Sequence, residues 1–136
     1  MSIEELEKWK KAGKLAHEAL HFGKNLIQEN SSMLDVTEEI EKYVFDNGGK
    51  LAFPTNLAIN NVGAHWTPSS KTTEVFSKGD LVKLDVGVHI DGYIGDNALT
   101  VEIGTSKYSK LVDTSREALN AAIEVAASQT TSPRRC

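Results

Sequence analysis

Asp91-Gly92 is the feature that most narrows what this chain can become. It stands between two runs rich in Val, Leu and Ile, residues 81–90 and 93–103. Asp-Gly favours the two-residue type I′ turn, whose central positions both need positive φ. A tight antiparallel hairpin is therefore expected, entered through a turn at Gly79-Asp80. With that turn Ile90 faces Tyr93, and the numbers of opposed residues add to 183 along the whole ladder. Asp85 then faces Ala98, and Asp96 faces Gly87. Side chains alternate across a strand, so Asp85, Gly87 and His89 share one face with Ile94, Asp96 and Ala98. A loop one residue longer would reverse this parity.

Both aspartates thus point the same way. They are diagonal neighbours with backbones about 7–8 Å apart, within reach of one shared ion. Gly87 and Ala98 beside them are small and leave that space open. One reading is a solvated sheet face carrying two unrelated aspartates. The other is a cation site: strands this apolar should be buried, an unpaired carboxylate is costly there, and two nearby acids resist joint ionisation. Oxygen donors of this kind, completed by imidazole, suit Mn, Co, Fe or Zn.

The surrounding chain supplies helices. Leu6, Trp9, Gly13, Ala16, Leu20, Gly23 and Ile27 recur at steps of three and four, which predicts a helix over 3–28 lying on something flat. Gly13 and Gly23 on that stripe suggest close approach of another backbone. A second helix should start near Asp35, with Glu38 completing a capping box, bury Ile40 and Val44, and stop at Gly48-Gly49. Short strands are expected at 51–54 and 57–60, a polar loop at 67–77, and a last helix at 106–127. Two helices, an antiparallel sheet and a helix make an α+β fold with helices on one face. Residues 127–136 lack periodicity and are expected to form a disordered tail after a domain at 1–126.

Composition excludes other classes. Nineteen acidic against fifteen basic residues give a net charge of −4, so no nucleic-acid binding is expected. No apolar run approaches the roughly 20 residues of a membrane span, and the acidic start, Met1-Ser2-Ile3-Glu4-Glu5, is unlike a signal peptide. Cys136 is the only cysteine, so no intrachain disulfide can form and a cytoplasmic setting is expected. Of the four histidines, His17 and His21 sit four apart on the polar side of the first helix and are taken as structural. His89 shares the acid-bearing face, either as a partner behind the acids or as a simple hydrogen-bonded side chain. His65 lies in a loop with Gly63 and Pro68, where functional side chains are often presented.

Three segments taken together resemble the first half of a methionine aminopeptidase, in the type 2 form of archaea and eukaryotes: Ala52-Phe53-Pro54-Thr55-Asn56, then Gly63-Ala64-His65-Trp66-Thr67-Pro68, then Lys83-Leu84-Asp85-Val86-Gly87-Val88-His89-Ile90-Asp91-Gly92-Tyr93-Ile94-Gly95-Asp96-Asn97-Ala98. The resemblance covers about residues 5–126. It implies half of a pita-bread fold, two divalent metals held partly by Asp85 and Asp96, and His65 beside the substrate, positioning or polarising its peptide group. The implied reaction is hydrolytic removal of the initiator methionine, so the expected partner is a peptide or nascent-chain N-terminus with Met first. The family's remaining ligands, a histidine and two glutamates, come from its second half. This chain has no histidine after His89, and it departs from the pattern near Ala127. A truncated chain is therefore expected, with weakly held metals and self-association through an open sheet edge. Other readings are a proline-specific peptidase of the same superfamily, a non-catalytic pita-bread binding protein, and a truncated product without function.

Overall fold

A computed structural model describes residues 2–129. The elements are α1 (Ile3–Leu26), α2 (Met33–Asp46), β1 (Lys50–Leu51), β2 (Asn56–Ile59), β3 (Leu81–Ile90), β4 (Tyr93–Glu102) and α3 (Ser109–Gln129). The chain divides into two compact units between Thr105 and Ser106. The first holds α1, α2 and the four strands; the second holds α3, which runs two residues past its expected end. Beyond Gln129 the expected tail lies outside the described residues.

β3 is the spine of the sheet. β4 pairs with it from Leu81↔Glu102 to Ile90↔Tyr93, in the register expected of a two-residue turn. Asp91 and Gly92 have φ of 51° and 89°, the left-handed pair that a type I′ turn requires. Along the other edge of β3, β1 pairs at Lys50↔His89 and Leu51↔Val88, and β2 from Asn56↔Asp85 to Ile59↔Val82. The strand expected at 51–54 is therefore cut short. Ala52 still donates its N–H to Gly87, but Phe53 and Pro54 leave the ladder, which a proline cannot continue with a donor.

One face of the sheet is the core. Val82, Leu84, Val86 and Val88 are fully buried and join Leu15, Ala16 and Leu20 of α1 with Ile40 and Val44 of α2 in one cluster. Burying each such side chain contributes about 1.5–3 kcal/mol, so this alternation holds β3 in its parity. The opposite face carries Lys83, Asp85, His89, Asp96 and Ala98, each partly or largely exposed.

Three local expectations change. The cap of α2 is Ser32, whose hydroxyl accepts from the Asp35 N–H at 3.2 Å, so the helix begins three residues earlier than Asp35 would have it. The same device starts α1, where Ser2 and Glu5 form a capping box. The stretch 67–77 is not wholly loop, since Ser32 bridges Val75, Phe76 exchanges backbone hydrogen bonds with Asn30 and Ser31, and the Phe76 ring is completely buried. Polar neighbours hide this anchor from a hydropathy reading.

The packed stripe of α1 is also narrower than expected. Trp9 remains about half exposed at 48%, meeting Tyr93 edge-on at 5.8 Å, while Lys8 pairs with Asp91 at 3.2 Å. The first turns of α1 thus lie by the hairpin tip, and the core begins at Ala12. Backbone does come close to Gly13, but the glycine that permits it is Gly95 of β4. A Cβ on Gly95 would stand 2.6 Å from the Ala12 carbonyl and from the Gly13 Cα. A Cβ on Gly13 itself meets nothing within 4 Å, and one on Gly23 meets side chains of Ile40 and Leu84 rather than backbone. Gly95→Ala should therefore lift α1 from the sheet and cost about 1–3 kcal/mol. Gly13→Ala should raise stability by about 0.5–1 kcal/mol through helix propensity. Urea unfolding of the two variants checks both signs.

Candidate active site

The core packing turns Asp85 away from the hydrophobic cluster and onto the open face. Asp85 pairs with Ala98 and Asp96 with Gly87, so the carboxylates lie diagonally on that face. They line a cleft of about 410 Å³ together with Phe53, Pro54, Asn56 and His65. The face is open to solvent, as one reading had it, and within it the two acids share one concavity with His65 at its wall.

Each wall residue has a local cause. Phe53 comes off the ladder and lays its ring over Gly87, where a Cβ would stand 2.2 Å from the ring edge. Gly87 is thus required by the aromatic side chain beside the acids. Asn56, opposite Asp85 on β2, accepts from the Thr67 hydroxyl at 3.1 Å. The Leu57 N–H donates to the Trp66 carbonyl at 2.9 Å. These bonds pin the loop on the C-terminal side of His65 to β2. His65 itself has φ 58°, a left-handed conformation that costs a non-glycine residue roughly 1–2 kcal/mol. The backbone holds that strain while the ring is presented to the cleft.

The electrostatics are those of two acids that outweigh the one nearby positive group, His65. Burial pushes the Asp85 carboxyl above the usual carboxylate range. Asp96 adds to the rise, first as a like charge and then as a hydrogen-bond partner, and the charge of His65 opposes it. A divalent cation between the two would reverse the balance, because it stabilises the ionised form of both. The residues present suit such an ion: two oxygen donors converge on open space and the small Gly87 and Ala98 do not obstruct it. Among the described residues, however, no group of three or more His, Cys, Asp or Glu side chains is placed to hold a metal. The two aspartates are a partial donor set.

His89 does not join them. Its Nδ1 accepts from the Gly92 N–H at 3.1 Å and closes the hairpin turn. His17 and His21 are exposed on α1, as expected. Phe53, Pro54 and Asn56 had no assigned role in the sequence beyond their place in a resemblance. The proline inside an otherwise extended run was the available signal that the chain leaves the sheet there.

This α+β fold with its antiparallel sheet is a metallopeptidase fold, and the chain belongs to Metallopeptidase family M24, which it matches over residues 7–134. Among archaeal proteins, it is 42% identical over 122 residues to the methionine aminopeptidase of Pyrococcus horikoshii, covering 90% of this chain and 41% of that one. It is 43% identical over 125 residues to the methionine aminopeptidase of Archaeoglobus fulgidus, covering 92% and 42% respectively. The crystal structure of methionine aminopeptidase from Thermotoga maritima superposes with a TM-score of 0.82 at 31% identity, over 90% of this chain and 53% of that one. The fold is that of the pita-bread aminopeptidases. The chain spans about two fifths of the length of the curated relatives it matches.

Asp85 gives a pH prediction with a definite sign. Its folded-state pKa lies above the unfolded value near 3.8, so the folded chain holds this proton more tightly. Its contribution to stability is therefore most favourable below that value and declines as pH rises through the folded-state pKa. In chelator, urea unfolding of Asp85→Asn against the parent should show the variant gaining relative stability as pH rises from about 4. Added divalent cation should narrow the gap.

Proposed function

We propose that this chain carries the amino-terminal share of a methionine aminopeptidase site, in which Asp85 and Asp96 hold divalent metal and His65 meets the substrate. The observation that supports this most directly is the convergence of both carboxylates and His65 on one cleft. Bound divalent metal would supply Lewis acidity toward water and the scissile carbonyl; Co, Mn, Fe and Zn all suit carboxylate and imidazole donors. Asp85 and Asp96 contribute negative charge and oxygen donors from a rigid hairpin. His65, on its pinned loop, hydrogen-bonds or polarises the substrate peptide group. Phe53 and Pro54 form an apolar wall suited to a methionine side chain, whose thioether packs well against an aromatic ring.

The substrate on this reading is a peptide or nascent-chain N-terminus with methionine first and a small residue second, in the cytoplasm. No helix among the described residues is long and apolar enough to cross a membrane. β4 pairs only with β3 among the described strands, so its second edge is where self-association would occur.

Two acids leave most positions around a metal to water, so this chain should bind Mn or Co loosely and release no methionine from a Met-Ala-Ser peptide. Measurable turnover that disappears in Asp96→Ala would overturn that expectation. Supplementing the chain with a separately expressed second half should restore activity. In that complex His65→Ala should lower turnover far more than metal content. Equal loss of bound metal would make His65 a ligand and defeat its proposed role with substrate.

A further inference from the structure

One wall of the cleft is anchored from behind by an acid of α2. Between the end of β1 at Leu51 and the start of β2 at Asn56 the chain leaves the ladder, and its amides need partners there. Ala52 still donates to Gly87, and Pro54 has no N–H to place. The Thr55 N–H donates to Oε1 of Glu41 at 3.0 Å, across 14 positions of sequence. Thr55 is completely buried, whereas its neighbours Pro54 and Asn56 line the cleft together with Phe53. A single short segment thus turns Thr55 into the interior, toward its anchor, and gives its other side to the candidate site.

Glu41 is suited to this by where it stands. Residues three and four apart on a helix are neighbours, and Glu41 has Val44 and Thr37 in those positions, both buried. Ile40, next to it in the chain, is buried completely. The backbone of α2 is therefore fixed in the core at this point, and the carboxylate reaches Thr55 from a rigid base. A carboxylate also accepts a hydrogen bond more strongly than a neutral carbonyl does. What it grips is backbone, for the Thr55 hydroxyl has no hydrogen-bond partner among the described residues. We propose that Glu41 is a positioning residue of the cleft, whose carboxylate holds the Phe53-Pro54 wall beside Asp85 and Asp96 through the Thr55 backbone. On the proposed function this wall receives a methionine side chain, and in that respect the role of Glu41 rests on it.

Glu41→Leu and Glu41→Gln in the full chain separate the hydrogen bond from packing, because leucine fills the site without an acceptor and glutamine keeps one. Glu41→Leu should speed hydrogen exchange of the Thr55 amide about tenfold or more, as expected for loss of a bond to a charged group. The ring current of Phe53, whose ring lies against Gly87, shifts the Gly87 Hα resonances, and in Glu41→Leu that shift should collapse toward the value of an ordinary glycine. The shift is read in the folded state, so a bond that merely added stability would not move it. Glu41→Gln should restore both signatures. Thr55→Val, which removes only the unpartnered hydroxyl, should leave both unchanged, and circular dichroism verifies that every variant folds. Saturation transfer from the chain to the thioether methyl of L-methioninamide should weaken in Glu41→Leu and return in Glu41→Gln. A parent chain that shows no transfer would count against the methionine pocket alone, and the Gly87 shift would still decide the role of Glu41. An unchanged Gly87 shift in Glu41→Leu, or Thr55 exchange within about twofold of the parent, would overturn that role, as would Glu41→Gln behaving like Glu41→Leu.

Discussion

The register of the β3–β4 hairpin is the constraint on which the rest depends. Ten residues on each side of a two-residue turn pair without a bulge, so a single choice at Asp91-Gly92 assigns every side chain of both strands to a face. Burial makes that choice costly to change. A shift by one residue would turn Val82, Leu84, Val86 and Val88 to solvent and force Lys83, Asp85 and His89 into the cluster beneath α1. Lost apolar burial and uncompensated charge oppose the slip together. The carboxylate pair is thus positioned by hydrophobic residues that never touch it.

The two faces are coupled through their glycines. Gly95 lets the α1 backbone settle on β4 at Ala12 and Gly13, and Gly87 lets the Phe53 ring settle on the open face beside the acids. They lie on opposite sides of the same two strands. One supports the packing that stabilises the sheet, and the other shapes the cleft that the sheet presents. Alanine at the two positions has different consequences for this reason: backbone must move at Gly95, whereas at Gly87 the obstacle is an aromatic side chain.

Legibility in the sequence followed the range of the interactions. Asp91-Gly92 and the alternating apolar residues are local signals, and they carried the hairpin to its ends and put Asp85 and Asp96 on one face. The class of fold, the helical stripe through Ala16 and Leu20, and the stop at Gly48-Gly49 were legible for the same reason. Long-range pairing was not. Phe76 is buried because residues 74–76 pair with 30–33, a contact that nothing within the polar stretch announces. The Ser32 cap was obscured by Asp35 and Glu38, an equally plausible capping pair three residues on. Phe53 and Asn56 enter the cleft because β1 and β2 both pair with one edge of β3 and the chain between them swings out. His65 was marked by its loop, but the bonds from Leu57 and Thr67 that pin the segment beside it are tertiary.

The side chains of the cleft are held in two different ways. Two like charges held close need a scaffold that cannot relax them apart, and paired strands on a packed core provide it, at the cost of a carboxyl at Asp85 that resists ionisation. His65 is carried instead by a loop, whose excursion the bonds to Asn56 and Leu57 limit. The strain at His65 belongs to the second arrangement. A left-handed φ in a non-glycine residue persists only when its surroundings hold it, and here the neighbouring Trp66 and Thr67 are tied to β2. The bonds that hold the His65 segment against β2 thus also keep its backbone in the costlier state.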